Sequence, residues 1–228
     1  VQAARRILFY NPAAIPACLT LEPASPMHIG LIGGIGPAST TFYYERIVRA
    51  FNQAGTPLHL TIGHTDVQRL VQNVEAGRPD QQAEEYRRIT EQLAAAGAEA
   101  VAITSMGGHF CAPAFEAISP LPVLNGPNAV GAEVGRLGLK RVGIIGTNVV
   151  MRTGLYGALT GIEVLTPLGA DFEQTHADYV AVGTTGQATP DQHQRLVEAA
   201  RGLCEDRGAD AVILGGTDLF VVFRHESP

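Results

Sequence analysis

Short apolar runs alternate with longer amphipathic segments along most of the chain. Residues 28–32 are apolar and are followed by Gly33 and Gly34, a pattern typical of a buried strand. Residues 80–96 are rich in Glu, Gln, Arg and Ala and are followed by Gly97, which predicts a helix. Further strands are predicted at 58–62, 99–104 and 121–124, and a further helix at 38–52. This alternation predicts an α/β fold with mostly parallel sheets flanked by helices.

The two halves of the chain repeat each other. The segment Gly97-Ala-Glu-Ala-Val101 returns 111 residues later as Gly208-Ala-Asp-Ala-Val212. The segment His28-Ile-Gly-Leu-Ile-Gly33 is echoed by Arg141-Val-Gly-Ile-Ile-Gly146, and the two pairs keep their order. Two ordered matches indicate a duplicated unit. The sequence therefore predicts two pseudo-symmetric lobes, at 27–124 and 125–228, with the functional site in the cleft between their sheets.

The two ends of the chain do not follow the repeat. Residues 1–26 contain four of the fourteen prolines and have no counterpart, so we expect a leader that is not part of the core. The strand predicted at 121–124 has no counterpart before residue 228. We therefore expect the second lobe to be truncated at its C-terminal end.

Composition narrows the class of protein. Hydrophobic residues make up 46% of the chain and charged residues 17%, as in a globular protein. The formal net charge is −6 and no cluster of Lys and Arg is present, which argues against a nucleic-acid partner. No apolar run is long enough to span a bilayer, and the three cysteines form no zinc pattern. We expect a cytoplasmic protein with neither a membrane partner nor a metal.

Glycine and polar residues gather where the predicted strands end, which is the edge at which parallel sheets bind ligands. The loop after the first strand offers Gly34, Ser39 and Thr40, and backbone N–H groups with hydroxyls at a helix N-terminus are typical of an anion site. Its spacing matches neither a dinucleotide fingerprint nor a P-loop, so a small carboxylate or phosphate is favoured over a nucleotide. The alternative is a tight turn with a helix cap.

The loop at 104–109 follows the third predicted strand and carries Ser105, Gly107 and His109. Glycine lets the backbone approach a ligand closely, Ser105 offers a hydroxyl, and His109 titrates near neutral pH. Cys111 comes shortly afterwards and is either a reactive thiol or a buried helix residue. A plain glycine-rich turn is the alternative for the loop as a whole.

The corresponding loop in the second half is 215–218, where Gly216 comes 111 residues after Ser105. Thr217 and Asp218 could donate to and accept from a substrate. Thr147 and Arg152 follow the strand that echoes the first one, and an arginine can hold a carboxylate through two parallel hydrogen bonds. The alternatives are a strand-end turn and an exposed helix arginine.

Several of these segments occur together in one known family. They are Leu31-Ile-Gly-Gly-Ile-Gly-Pro37 with Ser39-Thr40, Gly146-Thr147 with Met151 and Tyr156, the 104–109 loop, and Gly215-Gly-Thr-Asp218. Over about residues 27–224 the chain resembles the aspartate/glutamate racemase family. The resemblance implies an isomerase without a cofactor, which removes and returns the α-proton of an amino acid with two thiols, one on each lobe. It also implies a small carboxylate or amino-acid substrate, with a homodimer as the assembly to test.

Both thiol positions are substituted in this chain. The family segment Cys-Asn-Thr-x-His corresponds here to Ser105-Met-Gly-Gly-His109, and Gly-Cys-Thr-Glu corresponds to Gly215-Gly-Thr-Asp218. A serine without a base partner is a far weaker base than a thiolate, and glycine has no side-chain proton to transfer. We therefore expect altered or weakened chemistry, in which His109, Asp218 or Cys111 replaces a thiol.

Three other functions stay open. An enzyme that protonates from one side, such as a decarboxylase or an isomerase, needs fewer groups than a racemase. A non-catalytic protein that binds small carboxylates also fits, as does a two-lobe binding protein of the periplasmic type. If the scaffold still presents Ser105 and Gly216 to a ligand, Ser105→Cys combined with Gly216→Cys should raise α-proton exchange.

Overall fold

The computed structural model describes the backbone of Arg6–Leu8 and all of residues 27–223. The strands are β1 (Arg6–Leu8), β2 (His28–Gly33), β3 (His59–His64), β4 (Ala100–Ile103), β5 (Val123–Leu124), β6 (Arg141–Gly146), β7 (Glu163–Leu165) and β8 (Ala211–Gly215). The helices are α1 (Pro37–Ala54), α2 (Val67–Glu75), α3 (Pro79–Ala95), α4 (Ala112–Ile118), α5 (Gly126–Arg136), α6 (Asn148–Arg152), α7 (Ala170–Thr185), α8 (Pro190–Glu205) and α9 (Phe220–Phe223). None of these helices has the length and apolarity that crossing a membrane requires.

The strands form two parallel sheets. The first has the order β3-β2-β4-β5 and the second has the order β7-β6-β8-β1. Contacts group residues 27–126 into one unit, called here the first lobe, and group 127–223 with β1 into another, the second lobe. This confirms the predicted α/β fold, in which each of two lobes contains a parallel sheet flanked by helices.

The internal repeat is preserved in atomic detail where the central strands begin. In the first lobe, Glu99 donates its backbone N–H to the carbonyl of His28, and its carboxylate accepts the N–H of His28, both at 2.8 Å. In the second lobe, Asp210 makes the same two bonds with Arg141, at 2.8 and 3.0 Å. Glu99 and Asp210 occupy the same place in the repeated segment, so the repeat in sequence is a repeat of structure.

Each lobe has its own hydrophobic core between its sheet and its helices. In the first lobe α3 packs Leu93 against the sheet, and in the second lobe α8 packs Leu196 and Leu203 in the same way. Each fully buried side chain of this kind contributes roughly 1.5–3 kcal/mol. Both helices begin at a proline, Pro79 and Pro190, whose fixed φ and missing N–H suit the first helical turn.

The strand β1 forms one edge of the second sheet. It runs parallel to β8, with Arg6 opposite Ala211 and Leu8 opposite Ile213. It flanks β8 as β5 flanks β4, so the N-terminal segment supplies the fourth strand that the repeat predicts. The expectation that the leader, 1–26, is not part of the core stays a prediction, because only the backbone of Arg6–Leu8 is described within it. Its other residues, like 224–228 at the expected truncation, lie outside the described part of the chain.

Candidate functional site

The first lobe carries Ser105 two residues after the end of β4. The serine side chain is buried, and its Oγ accepts a hydrogen bond from the backbone N–H of Gly108 at 3.3 Å. Within residues 27–223, no imidazole or carboxylate hydrogen-bonds to this hydroxyl. A serine hydroxyl without an adjacent base is a poor nucleophile and a poor base. Ser105 alone therefore does not reproduce the chemistry of a thiolate.

His109 is bonded through both of its ring nitrogens. Nδ1 lies 2.7 Å from the carbonyl oxygen of Ser105, and Nε2 accepts the backbone N–H of Gly126 at 3.3 Å. Because a carbonyl oxygen only accepts, the ring is neutral and carries its proton on Nδ1. Burial lowers the pKa of His109 to about 4. The imidazole thus ties the loop to the start of α5, which differs from its expected role as a replacement base.

Cys111 is a core residue. Its side chain is fully buried in the cluster that contains Ile103 and Phe115, and its thiol donates to the carbonyl oxygen of Gly108 at 3.5 Å. Burial raises the pKa of the Cys111 thiol to about 12. A thiol in this state is neutral and unreactive at neutral pH, so of the two sequence interpretations the structure favours the buried helix residue.

The hydroxyls of Ser39 and Thr40 fasten the first turn of α1 to the end of β4. Ser39 Oγ donates to the carbonyl oxygen of Thr104 at 2.5 Å. Thr40 Oγ1 lies 3.0 Å from the Thr104 hydroxyl and donates to the carbonyl oxygen of Gly36 at 3.1 Å. These two candidate ligand-binding side chains therefore hold the loop against the strand that carries Ser105.

Two glycines shape the same edge of the first sheet. Gly34 has a φ of +85°, and a Cβ there would lie 2.4 Å from both His64 Nδ1 and the Thr65 carbonyl oxygen. Its N–H donates to Thr40 Oγ1 at 3.0 Å, so Gly34 contributes the tight turn rather than a donor for a ligand. Gly107, which is half-buried, begins the 3-10 turn Gly107–Cys111 that follows Ser105.

Thr147 and Arg152 stand at the two ends of α6 in the second lobe. Thr147 caps the helix by accepting the backbone N–H of Val150 at 3.3 Å. Arg152 pairs with Glu173 at 3.0 Å, lies over the ring of Phe172 at 4.8 Å, and borders a cavity of about 500 Å³. Its guanidinium is exposed and already engaged, unlike the carboxylate clamp that the sequence predicts.

Gly216 follows β8 and has no room for a side chain. A Cβ there would lie 2.0 Å from Cε2, 2.3 Å from Cζ and 2.6 Å from the hydroxyl oxygen of Tyr179. The backbone at Gly216 is extended, with a φ of −153°, so its conformation does not itself require glycine. The tyrosine ring, buried on α7, is therefore what excludes a side chain at this position.

The carboxylate of Asp218 lies near the hydroxyl of Tyr179. The Cβ position of Gly183 lies 3.9 Å from this hydroxyl oxygen and 3.7 Å from Oδ2 of Asp218, so both groups border the same point. Asp218 is buried, and Thr217 beside it is half-buried. Burial, then the Asp218 carboxylate and then Tyr156, raise the pKa of Tyr179 well above its ordinary range. The second strand end therefore carries a neutral phenol next to a carboxyl group.

Tyr156 is held in an unusual backbone conformation beside this cluster. Its φ is +57° and that of Leu155 is +60°, in the left-handed region that non-glycine residues rarely adopt. Its N–H is fixed by the side-chain oxygen of Thr153 at 2.9 Å. Such strain persists where the surroundings enforce it, and it is common at binding and catalytic sites.

Sequence reasoning missed Tyr179. The tyrosine lies 37 residues before Gly216 and falls in no motif. The available signal was the glycine itself, because the family resemblance implies a cysteine at this position and a glycine there leaves space that another group can fill. In the second lobe, the predicted site residues near Tyr179 are Gly216, Thr217 and Asp218. In the first lobe, the predicted site residues at the strand end are Gly34, Ser39, Thr40, Ser105, Gly107 and His109.

A metal site is not apparent in the described ranges. Across residues 27–223, no group of three or more His, Cys, Asp and Glu side chains is placed to hold a metal ion.

Comparison with known proteins matches this chain to a racemase family and to solved structures described as racemases or their homologues. A family model described as Asp/Glu/Hydantoin racemase matches residues 32–227. The chain is similar to a structure from Yersinia pestis described as a candidate Asp/Glu racemase, with 27% identity and a TM-score of 0.73 over 86% of this chain and 88% of that one. An aspartate racemase homologue from Pyrococcus horikoshii OT3 has 24% identity and a TM-score of 0.68, over 87% and 89% of the two chains. Aspartate racemase from Picrophilus torridus has 18% identity and a TM-score of 0.69, over 86% and 83%.

Proposed function

Because the chain belongs to the Asp/Glu/Hydantoin racemase family, we propose that it acts at the α-carbon of a small amino-acid carboxylate, with chemistry weaker than two-thiol racemisation. This proposal is based on the residues at the ends of β4 and β8. These strand ends keep the loops of the family resemblance, but they present Ser105 and Gly216 where that resemblance implies two thiols.

Inversion at a carbon centre needs a base on one face and an acid on the other. A positioned group of this kind typically contributes about two to four orders of magnitude in rate. Ser105 has no base partner in the first lobe, and Gly216 has no side chain in the second. We therefore expect α-proton exchange to exceed inversion, whereas two matched thiols would couple the two processes.

We propose aspartate and glutamate as the first substrates to test. Their names come from the descriptions of the family and of the similar proteins. The side chains of Ser39 and Thr40 are bonded within the protein, so a carboxylate bound beside them would be held by other groups.

The test measures exchange and inversion separately. The purified protein is incubated with each enantiomer of aspartate and glutamate in heavy water. Proton NMR follows loss of the α-proton signal, and chiral chromatography follows configuration. We expect exchange above that of heat-inactivated protein and inversion roughly a hundredfold slower. Inversion as fast as exchange would show that two competent groups are present and would contradict the proposal.

A non-catalytic carboxylate-binding protein is the second candidate. It is favoured by the first lobe, where His109 is bonded through both nitrogens and Cys111 is buried in the core. Ligand binding stabilises the folded state in either case, so aspartate, glutamate or malonate at millimolar concentration should raise the melting temperature. Stabilisation without any exchange in heavy water would favour this second candidate.

A further inference from the structure

The second strand end carries a proton-bearing group that comes from a helix rather than from the strand. We propose that the hydroxyl of Tyr179 is the proton-transfer group of this strand end, acting on the α-carbon of the bound carboxylate from one face. The inference rests on the proposed function and names the group that performs it in the second lobe.

The inference is based on the position of the Tyr179 hydroxyl. The hydroxyl oxygen lies 2.6 Å from the point where a side chain at residue 216 would begin. A sulfur bonded to that Cβ and the oxygen of Tyr179 would thus occupy the same neighbourhood. The ring covers Gly216 so closely that the glycine and the tyrosine are complementary. The phenol therefore takes the space that a side chain on the strand would otherwise use.

Groups on two neighbouring elements act on the hydroxyl. Asp218 comes from the 3-10 turn Thr217–Leu219 and Tyr156 from the turn after α6, and both act on the pKa of Tyr179. On α7 itself the neighbouring Asp178 is paired with Arg195 of α8 at 2.8 Å, so that carboxylate is already neutralised. Asp218 is therefore the carboxylate that acts on the phenol.

The proposed step is balanced by the phenol and the solvent alone. The phenolate form of Tyr179 takes the α-proton, so the Cα–H bond breaks, an O–H bond forms, and the electron pair is delocalised into the substrate carboxylate. The phenol exchanges its proton with water and returns a solvent proton to the same face, which restores the phenolate. The result is exchange with retention of configuration, since one group serves one face.

The pH dependence follows from the raised pKa of Tyr179. The reactive form is the phenolate, which is scarce at neutral pH and increases about tenfold for each pH unit below the pKa. Exchange should therefore rise steadily from pH 7 to pH 10 without levelling off. A thiol with an ordinary pKa near 8.5 would level off within that range.

The experiment compares Tyr179→Phe with the unmodified protein in the heavy-water assay between pH 7 and pH 10. The phenylalanine keeps the ring over Gly216 and removes only the hydroxyl. We expect exchange to fall roughly a hundredfold and to lose its rise with pH, while stabilisation by aspartate or malonate is retained. Alkylation with iodoacetamide should leave exchange by the unmodified protein unchanged, since no thiol takes part.

Tyr86→Phe is the matched control. Tyr86 is also a buried tyrosine whose hydroxyl lies 2.6 Å from the Cβ position of a glycine, Gly108. This variant should exchange at the parental rate. Exchange that persists in Tyr179→Phe, is lost equally in Tyr86→Phe, or is abolished by alkylation would overturn the inference alone. Absence of exchange by the unmodified protein at every pH would overturn the proposed function and the inference with it.

Discussion

The two strand ends share a backbone plan and differ in what fills the space beside it. After β4 the side chain of Ser105 is present, and Tyr86 covers Gly108, three residues later. After β8 Tyr179 covers Gly216 itself. In both lobes the tyrosine reaches the strand end from a helix that precedes the strand in the chain, α3 in the first lobe and α7 in the second.

The duplicated backbone therefore does not determine which side chains lie at the two strand ends. The strands keep the same order and the acidic residues Glu99 and Asp210 make the same bonds. The glycine that a phenol covers, however, is shifted by three residues between the lobes. One strand end is left with a serine hydroxyl that lacks a base partner, and the other with a phenol beside a carboxyl group.

Gly216→Cys is expected to break the second strand end. Its Cβ would lie 2.0 Å from the ring of Tyr179, so the buried ring would have to shift. We expect the free energy of unfolding to fall by about 1–3 kcal/mol, the usual range for overpacking a core. Urea denaturation measures this change. Gly135→Cys is the control, because nothing lies within 4 Å of a Cβ at Gly135.

A double-mutant cycle shows whether the ring is the cause. In a Tyr179→Ala background the space above residue 216 is open, so Gly216→Cys should cost much less than it does in the parent. We expect a coupling energy of about 2 kcal/mol between the two positions. An equal cost in both backgrounds would mean that something other than Tyr179 excludes a side chain there.

The fold could be predicted from sequence because its signals are local and repeated. The apolar runs, the helix stop at Gly97 and the offset of 111 residues predict two lobes, each with a mostly parallel sheet. The strand at Arg6–Leu8 is not predicted, because it has only three residues, lies in a proline-rich stretch and pairs with a strand about 200 residues away.

The site could be predicted only as far as its loops. Ser105 comes two residues after β4 and Gly216 comes directly after β8, at the strand ends where the repeat places them. The hydrogen-bond partners of its side chains could not be predicted from the sequence, because they are distant along the chain. Ser39 and Thr40 bond to Thr104, and His109 bonds to Gly126. The contact of Tyr179 with Gly216 could not be predicted either, because tertiary packing brings the two together and no sequence motif links them.

His109 should make the stability of the first strand end depend on pH. Its pKa is lowered from 6.5 to about 4 in the folded state, because burial disfavours the charged ring. The unfolded chain therefore binds more protons between these values, and the stabilisation is complete above pH 6.5 and lost as the pH falls towards 4. We expect a loss of up to about 3 kcal/mol, from about 1.4 kcal/mol for each unit of pKa.

Urea denaturation at several pH values between 4 and 7 measures this loss. His109→Asn is the comparison variant, because its amide can still donate to the Ser105 carbonyl oxygen but does not titrate. It should be less stable than the parent at pH 7 and should lack the His109 part of the pH slope. The second lobe has Phe220 at the corresponding place, so Phe220→Asn should leave the slope unchanged. An unchanged slope in His109→Asn would contradict the prediction.

Restoring two thiols should depend on first removing the phenol ring. The expectation that Ser105→Cys with Gly216→Cys raises exchange ignores the ring of Tyr179, which occupies the space a cysteine needs. With Tyr179→Ala added, both thiols fit, and we expect inversion of aspartate or glutamate to rise at least about tenfold above the parent. Exchange should also level off near pH 8.5, the ordinary pKa of a thiol, instead of rising to pH 10.

The gain in inversion is limited because Met106 and Gly107 stand where the resemblance implies Asn and Thr. Heavy-water NMR with chiral chromatography measures both quantities, and equal inversion by the double-cysteine protein with Tyr179 intact would show that the ring is no barrier.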